Sequence, residues 1–229
     1  MRFSFMRRSS LPLAAAALIA AGWLLQAAAP AAAQGAMEQP SQVVESSANG
    51  LLKALDANRQ AYQHDPAKVA ALVDQYILPH VDTEFSAQLV LGKYWRTATA
   101  QQRQRFIDAF YHSMLNNYGS AIVQFTSNML KVFPTRVSPG QDNVVVRTQM
   151  MRGGGAPVAV DYYTHMTPQG WKVWDVHIDG VSYVMSYRQD FGSQIAQQGG
   201  GASAIDAVIN RLERGEKPAQ LGKAGGGAS

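Results

Sequence analysis

The chain has 229 residues and carries 20 Lys and Arg residues against 16 Asp and Glu residues. It has no cysteine, which excludes disulfide bonds, thiol catalysis and cysteine-ligated zinc sites. Once a leader of about 33 residues is set aside, the remainder fits one domain with a hydrophobic core.

The first residues have the three-part layout of a secretory signal. Three arginines give a positive start, residues 11–25 are apolar, and residues 31–33 form an A-x-A cleavage site. The apolar run is shorter than the roughly 20 residues that a membrane-spanning helix needs. We therefore predict a cleaved signal peptide over 1–33, and hence an exported, soluble protein.

Cleavage would also change the charge balance of the protein. Loss of Arg2, Arg7 and Arg8 leaves 17 basic residues against 16 acidic ones in the mature chain. Duplex binding relies on many contacts between cationic side chains and phosphates, so this near-neutral chain is a poor candidate for binding nucleic acid.

The first half of the mature chain has apolar residues at helical spacing. One helix is predicted over 41–63, and a second begins at Asp65-Pro66, where Asp caps and Pro occupies the first turn. A short helix should then carry Phe85 and Leu89. These segments predict several helices before any strand.

A longer helix is predicted after Thr99, which forms a capping-box pattern with Gln102. One face of this helix consists of Phe106, Phe110, Met114 and Tyr118. Such an apolar stripe indicates the side of a helix that is buried against the rest of the domain.

The middle of the chain changes to short β-branched and aromatic segments that are separated by turn residues at hairpin spacing. The predicted strands are 132–137, 143–151, 156–166 and 170–178. They are expected to form an antiparallel four-stranded meander. Helices return over 181–197 and 203–212, so the pattern predicts an α+β fold whose sheet is covered by helices.

Residues 215–229 are rich in Gly and Ala and lack apolar periodicity. This composition predicts a disordered tail.

The polar residues offer little for catalysis or metal binding. The five histidines lack the spacing of a metal motif, so no metal site is expected. His177, Asp179 and Ser182 supply the residue types of a hydrolase triad, but they lie within six residues and outside a G-x-S-x-G elbow.

Asp161 and Asp175 give the one enzymatic alternative that the residues leave open. Both lie on predicted strands. A carboxylate in an apolar pocket can act as a base with a raised pKa. The competing interpretation is that both residues face solvent or pair with arginine.

The stretch from Gly170 to Phe191 resembles the signature of the MlaC family, also called the toluene-tolerance family, of periplasmic phospholipid-binding proteins. That pattern is a Trp-Lys-Val-aromatic-Asp-Val strand, an acidic-Gly-Val-Ser turn and a helix with Tyr-Arg and Phe. The matching residues are Trp171, Lys172, Val173, Trp174, Asp175, Val176, Gly180, Val181, Ser182, Tyr187, Arg188 and Phe191.

The resemblance implies an α+β fold with a deep apolar cavity between sheet and helices, in a phospholipid-binding domain over 34–214. It also implies a non-enzymatic carrier of a diacyl phospholipid that needs no cofactor and maintains outer-membrane lipid asymmetry. Its implied partners are an outer-membrane lipoprotein complex and an inner-membrane ABC transporter with MCE domains.

The resemblance and the inward helix and strand faces together predict the residues of the lipid pocket. They are Phe85, Leu89, Phe106, Phe110, Met114, Tyr118, Val146, Val160, Tyr162, Val173, Val176, Val181, Val184 and Tyr187. Four surface cations could meet acidic partners or lipid head groups, namely Lys93, Arg96, Arg103 and Arg105.

Three functions remain compatible with the sequence. A lipid carrier requires an apolar pocket without catalytic groups. A small-molecule enzyme requires a buried Asp161 or Asp175 with a perturbed pKa. A structural adaptor of the cell envelope requires a filled core and an exposed apolar patch.

Overall fold

The computed structural model of the protein describes residues 38–152 and 155–216. The predicted signal peptide over 1–33 and most of the predicted tail over 215–229 lie outside these residues. Among the helices in the described ranges, none combines the length and the apolar character that crossing a bilayer requires.

Seven α-helices and two short 3-10 helices occur in the described part of the chain. Before the sheet lie α1 (Pro40–Ala57), α2 (Arg59–Gln63), α3 (Pro66–Tyr76), α4 (Thr83–Leu91) and α5 (Ala100–Ile122), with 3-10 helices at Leu78–His80 and Gly92–Arg96. After it lie α6 (Tyr183–Gln197) and α7 (Ala202–Glu213). The caps at Asp65 and Thr99 are confirmed, since each side chain accepts a backbone N–H bond from the first turn.

The first helix is not continuous as predicted over 41–63. It breaks at Asn58, whose φ of −153° is far from helical geometry. After the break, Arg59 pairs with Asp56 and donates to the carbonyl oxygens of Val123 and Phe125. The break therefore lets an arginine bind the backbone just beyond α5.

The sheet has five strands in the order of the sequence, with every neighbouring pair antiparallel. They are β1 (Leu130–Val132), β2 (Asn143–Arg152), β3 (Gly155–Thr167), β4 (Gly170–Ile178) and β5 (Val181–Ser182). The predicted antiparallel meander is therefore confirmed, whereas the predicted number of four strands is wrong.

The unpredicted strand β5 arises from the turn that precedes it. Asp179 and Gly180 both have positive φ, 48° and 81°, which reverses the chain. Val181 then pairs with Ile178 and Ser182 with His177. The following helix consequently begins at Tyr183 instead of at residue 181.

One face of the sheet is covered by α1. Val44 on α1 packs with Val146 on β2 and Val173 on β4. Along β2, burial alternates as expected for a sheet with one covered face. The opposite face of β3 carries Asp161 and Tyr163, which alternate with Tyr162.

The buried apolar residues in the described ranges form four separate clusters. The largest lies within α4 to α7 and the adjoining 3-10 helix and includes Phe106, Phe191 and Ile205; we call it the helical cluster. A second joins α1 to α3. Two smaller clusters join α1 to the sheet, and the one around Val146 is called the sheet cluster. Most domains of this size have one contiguous core.

The carboxylate of Asp175 connects the sheet to α6. Its Oδ1 atom accepts bonds from the backbone N–H groups of Val176 (2.8 Å) and Val184 (3.0 Å). Its Oδ2 atom accepts a bond from the hydroxyl of Ser182 (2.5 Å) and lies 3.0 Å from Nε2 of His177. Because the side chain is only 2% exposed, these contacts replace water and fix the first turn of α6 on β4.

Replacing Asp175 by alanine is therefore expected to lower the free energy of unfolding by about 3 kcal/mol. The substitution leaves the buried N–H of Val184 without its acceptor, and such a loss costs on the order of 1–3 kcal/mol for that group alone. Urea denaturation of the two proteins would measure the difference.

Asp161→Ala is the matched control on the neighbouring strand, because Asp161 is not part of this cluster of hydrogen bonds. It should change the unfolding free energy by no more than about 0.5 kcal/mol. Equal effects of the two substitutions would show that Asp175 does not hold α6 on the sheet.

Candidate functional site

The predicted pocket residues on the helices are brought together in and around the helical cluster. Its buried members from the predicted set are Phe106, Phe110, Val184 and Tyr187. Leu89 and Met114 pack against it and stay partly exposed. The aromatic rings are closely arranged, with 5.0 Å between the ring centres of Phe110 and Tyr187.

The predicted pocket residues on the sheet are brought together in the sheet cluster. Val146 and Val173 are buried, whereas Tyr162 and Val176 pack against them and stay partly exposed. Val160 lies two residues before Tyr162 on the same strand and is also partly exposed. This face therefore keeps accessible apolar surface next to its buried residues.

Tyr162 combines accessible surface with strong desolvation. Its side chain is only partly covered by protein. Burial nevertheless raises the pKa of its phenol to about 12, with no second cause.

Tyr118 and Tyr183 form an aromatic contact between α5 and α6 that lies next to the helical cluster. Their ring centres are 5.2 Å apart. Burial raises the pKa of each phenol well above its ordinary value; Tyr187 adds to the rise at Tyr118, and Tyr118 adds to the rise at Tyr183. Sequence reasoning missed Tyr183, although its i, i+4 spacing to Tyr187 places both on one side of α6.

Phe85 and Val181 lie apart from the other predicted pocket residues. The ring centre of Phe85 is 4.7 Å from that of His165 and 5.9 Å from that of Trp174. Trp174 in turn contacts Tyr163, on the face of the sheet opposite to Tyr162. Val181 is 39% exposed at the edge strand β5.

The polar residues with the side chains of a hydrolase triad instead form contacts that connect strands and helices. His177 and Ser182 both contact Asp175, so the carboxylate stands at the centre of the group. In a hydrolase triad the histidine stands there, between nucleophile and acid. Asp179 is not part of the group; it accepts a bond from Ala159 N across the sheet (3.1 Å).

The two candidate bases are in different states. Asp175 accepts three hydrogen bonds and lies 3.0 Å from Nε2 of His177, and its side chain is 2% exposed, so it is engaged inside the protein. Asp161 lies opposite Arg147 and His177 on the neighbouring strands, on the face of the sheet opposite to Tyr162.

Among the His, Asp and Glu residues of the described ranges, no group of three or more could hold a metal ion. His165 there lies 3.0 Å from Asp82, whose other oxygen accepts a bond from Phe85 N at the start of α4. This histidine thus contributes to a helix cap.

The four predicted surface cations differ in their surroundings. Arg105 pairs with Asp206 and Glu213 on α7. Arg103 donates to the carbonyl oxygen of Trp95 (2.8 Å) and lies over its ring. Lys93 instead lines a groove of about 710 Å³, which we call the α4–α6 groove. It is formed by residues 90–94 and by one face of α6, and sequence reasoning did not predict it.

Comparison with known proteins gives consistent results. A family model described as MlaC protein matches residues 45–214. The toluene tolerance protein ttg2D of Pseudomonas putida is 27% identical over 165 residues, which cover 72% of this chain and 76% of that protein. The intermembrane phospholipid transport system binding protein MlaC of Haemophilus influenzae is 22% identical over 178 residues, which cover 76% and 81%.

A solved structure of the phospholipid-binding protein from Ralstonia solanacearum in complex with a phospholipid has the same fold. The TM-score is 0.69 and the identity 26%, over 77% of this chain and 98% of that one. The resemblance found in the stretch from Gly170 to Phe191 is thereby confirmed. Because the family model matches well over half of its residues, the chain belongs to the MlaC family.

Proposed function

We propose that this protein binds a phospholipid by its acyl chains and carries it as a soluble periplasmic protein between the outer and inner membranes. The observation that carries the proposal is the phospholipid held by the Ralstonia solanacearum protein, which shares this fold. The divided core of this chain supports the same function independently.

The proposed binding site lies between the helical cluster and the sheet cluster. Each cluster has partly exposed apolar residues at its margin, among them Leu89 and Met114 on one side and Tyr162 and Val176 on the other. A domain with a filled core would bury such residues against each other. Acyl chains between the two clusters would cover them instead.

The fourteen pocket residues then have different roles. The accessible wall would consist of Leu89, Met114, Tyr118, Val160, Tyr162 and Val176. Six residues are buried in this state and would support that wall from behind, namely Phe106, Phe110, Val146, Val173, Val184 and Tyr187. Phe85 and Val181 would lie at the rim.

The energetics of the cargo require such an enclosed wall. Burying one CH₂ group is worth about 0.8 kcal/mol, so two ordinary acyl chains cost on the order of 20 kcal/mol to expose. A soluble carrier must sheathe nearly all of both chains. Contacts to the head group can be few, and no acid, base or metal is needed.

Export and partners complete the proposal. The leader over 1–33 would direct the domain over 34–214 to the periplasm. An outer-membrane lipoprotein complex and an inner-membrane ABC transporter with MCE domains would exchange lipid with it, which maintains outer-membrane lipid asymmetry. Four contacts already engage Asp175 within the protein, which argues against this carboxylate as the base of the enzymatic alternative.

Mass spectrometry of the purified mature protein, native and then after solvent extraction, tests the proposed function. We expect close to one diacyl phospholipid per chain, because an empty apolar wall would face water. Protein that holds no lipid, even after incubation with phospholipid vesicles, would contradict the proposal.

Filling the proposed site with a larger side chain should displace the lipid. Val176→Trp projects an indole from the partly exposed wall and is expected to reduce bound lipid at least threefold while the protein stays folded. In a filled core the same change would cost about 1–3 kcal/mol of stability by overpacking. Lipid per chain and the urea midpoint should both be measured.

Val145→Trp is the matched control. Val145 is also partly exposed, but it pairs with Tyr163 on the opposite face of the sheet. It should leave lipid occupancy unchanged. Full occupancy in Val176→Trp, or an equal loss in both variants, would place the acyl chains elsewhere.

Tyr162 should make the lipid-free protein sensitive to alkaline pH. Its pKa is about 12 in the folded protein and about 10 when unfolded, so the neutral phenol favours folding below pH 10, and this contribution disappears as the pH rises through 12. Since the ring keeps some exposure, we expect a contribution of about 1–2 kcal/mol. In urea titrations between pH 10 and 12, the unsubstituted protein should therefore lose more of its free energy of unfolding than Tyr162→Phe. Equal losses in the two proteins would refute the desolvation of Tyr162.

A further inference from the structure

The α4–α6 groove has the size of a small-molecule site. Its volume of about 710 Å³ falls within the roughly 300–1,000 Å³ that is usual for ligand pockets. The face of α6 that lines it has small residues at Ser186, Gly192, Ser193 and Ala196, which keep the groove open. An added Cβ at Gly192 would meet no atom within 4 Å.

Two cations, Lys93 and Arg188, line this groove, and its lining contains no carboxylate. The guanidinium of Arg188 lies directly over Gly92, where a Cβ would be 3.1 Å from both Cζ and Nη2. Gly92 precedes Lys93 in the chain, and Nζ of Lys93 lies 5.0 Å from the centre of the ring of Tyr94, which also lines the groove. Both cationic residues therefore belong to the lining near Gly92, and their charges together favour an anionic ligand.

Several arginines in the described ranges pair with a carboxylate. Arg105 pairs with Asp206 and Glu213, and Arg59 pairs with Asp56. Arg188 instead donates from Nη1 to the carbonyl oxygen of Leu89 (2.9 Å). This bond explains where the guanidinium lies, because it satisfies a carbonyl near the end of α4, but it leaves the positive charge uncompensated.

The other lining residues are mixed in character. Ser182, Gln189 and Ser193 are polar, Val90 and Leu91 are buried, and Met185 is an apolar side chain that is 55% exposed. A ligand that matches both features has an anionic group and an attached apolar part. Arginine binds phosphate oxygens in a bidentate manner, which favours phosphate as the anion.

We propose that the α4–α6 groove binds the phosphate group of a phospholipid through Lys93 and Arg188, with the apolar part of that lipid on Met185. This site is separate from the proposed acyl-chain site between the helical and sheet clusters. An experiment can therefore show ligand binding at one site and no binding at the other.

The test uses the mature protein loaded with its interior lipid and labelled with ¹⁵N. Dihexanoyl phosphatidylglycerol, kept monomeric, is titrated while the amide signals of Gly92 and Gly192 are followed. Saturable shifts of both signals are expected. Glycerol 3-phosphate and inorganic phosphate, titrated in the same way, should bind at least tenfold more weakly because they lack the apolar part.

Variants show whether the charges carry the binding. K93Q and R188Q should each weaken phospholipid binding about threefold to tenfold, and R188K should recover most of the loss at position 188. Arg96→Gln is the matched control, because Arg96 lies on the same 3-10 helix as Lys93 but does not line the groove. It should change the dissociation constant less than twofold.

Three outcomes would overturn the proposal. The first is no saturable shift of Gly92 and Gly192 with the phospholipid. The second is equal binding of inorganic phosphate, which would assign the groove to free phosphate. The third is unchanged phospholipid affinity in K93Q and R188Q. That result would show that the two cations do not bind the lipid phosphate, and an acidic protein partner would then be the alternative ligand. Loss of the interior lipid in mass spectrometry would instead count against the proposed function alone.

Discussion

The arrangement of this domain depends on one buried carboxylate. Asp175 accepts hydrogen bonds from its own strand, from β5 and from the first turn of α6, and thereby sets where α6 leaves the sheet. A carboxylate so placed is costly to bury unless its lone pairs are all used, and here they are. The junction therefore holds α6 in place by directional bonds and does not need a continuous apolar core beneath it.

Similar polar contacts join the helices to the sheet elsewhere. Asp82 caps α4 and contacts His165 on β3, and the hydroxyl of Ser86 donates to the carbonyl oxygen of Trp174 on β4 (2.7 Å). Because these bonds fix α4 and α6 on the sheet, the helical cluster and the sheet cluster can remain separate. A core divided in this way loses some packing energy, and bound acyl chains would restore it.

Much of this fold could be predicted from sequence because its signals are local. Caps at Asp65 and Thr99, β-branched runs and Gly-containing turns identified the helices and the meander. Strand β5 was missed because two residues carry no periodicity. The bond of Arg188 to the backbone of α4 and the ring contact of Phe85 with His165 join residues 80 or more positions apart, which no spacing rule reaches.

The candidate chemistry shows the same difference between composition and arrangement. Catalysis can use the residue types of His177, Asp175 and Ser182. Here, however, the serine and the histidine both contact the carboxylate and are not bonded to each other. Charge shows the same difference: Arg105 pairs with carboxylates, whereas Lys93 and Arg188 line a groove whose lining contains no carboxylate. An apolar interior of the proposed kind would bind acyl chains whatever the head group, because burial depends on area and not on direction. The separate α4–α6 groove would act by the opposite rule, because there two fixed charges would select the anionic group of a second ligand.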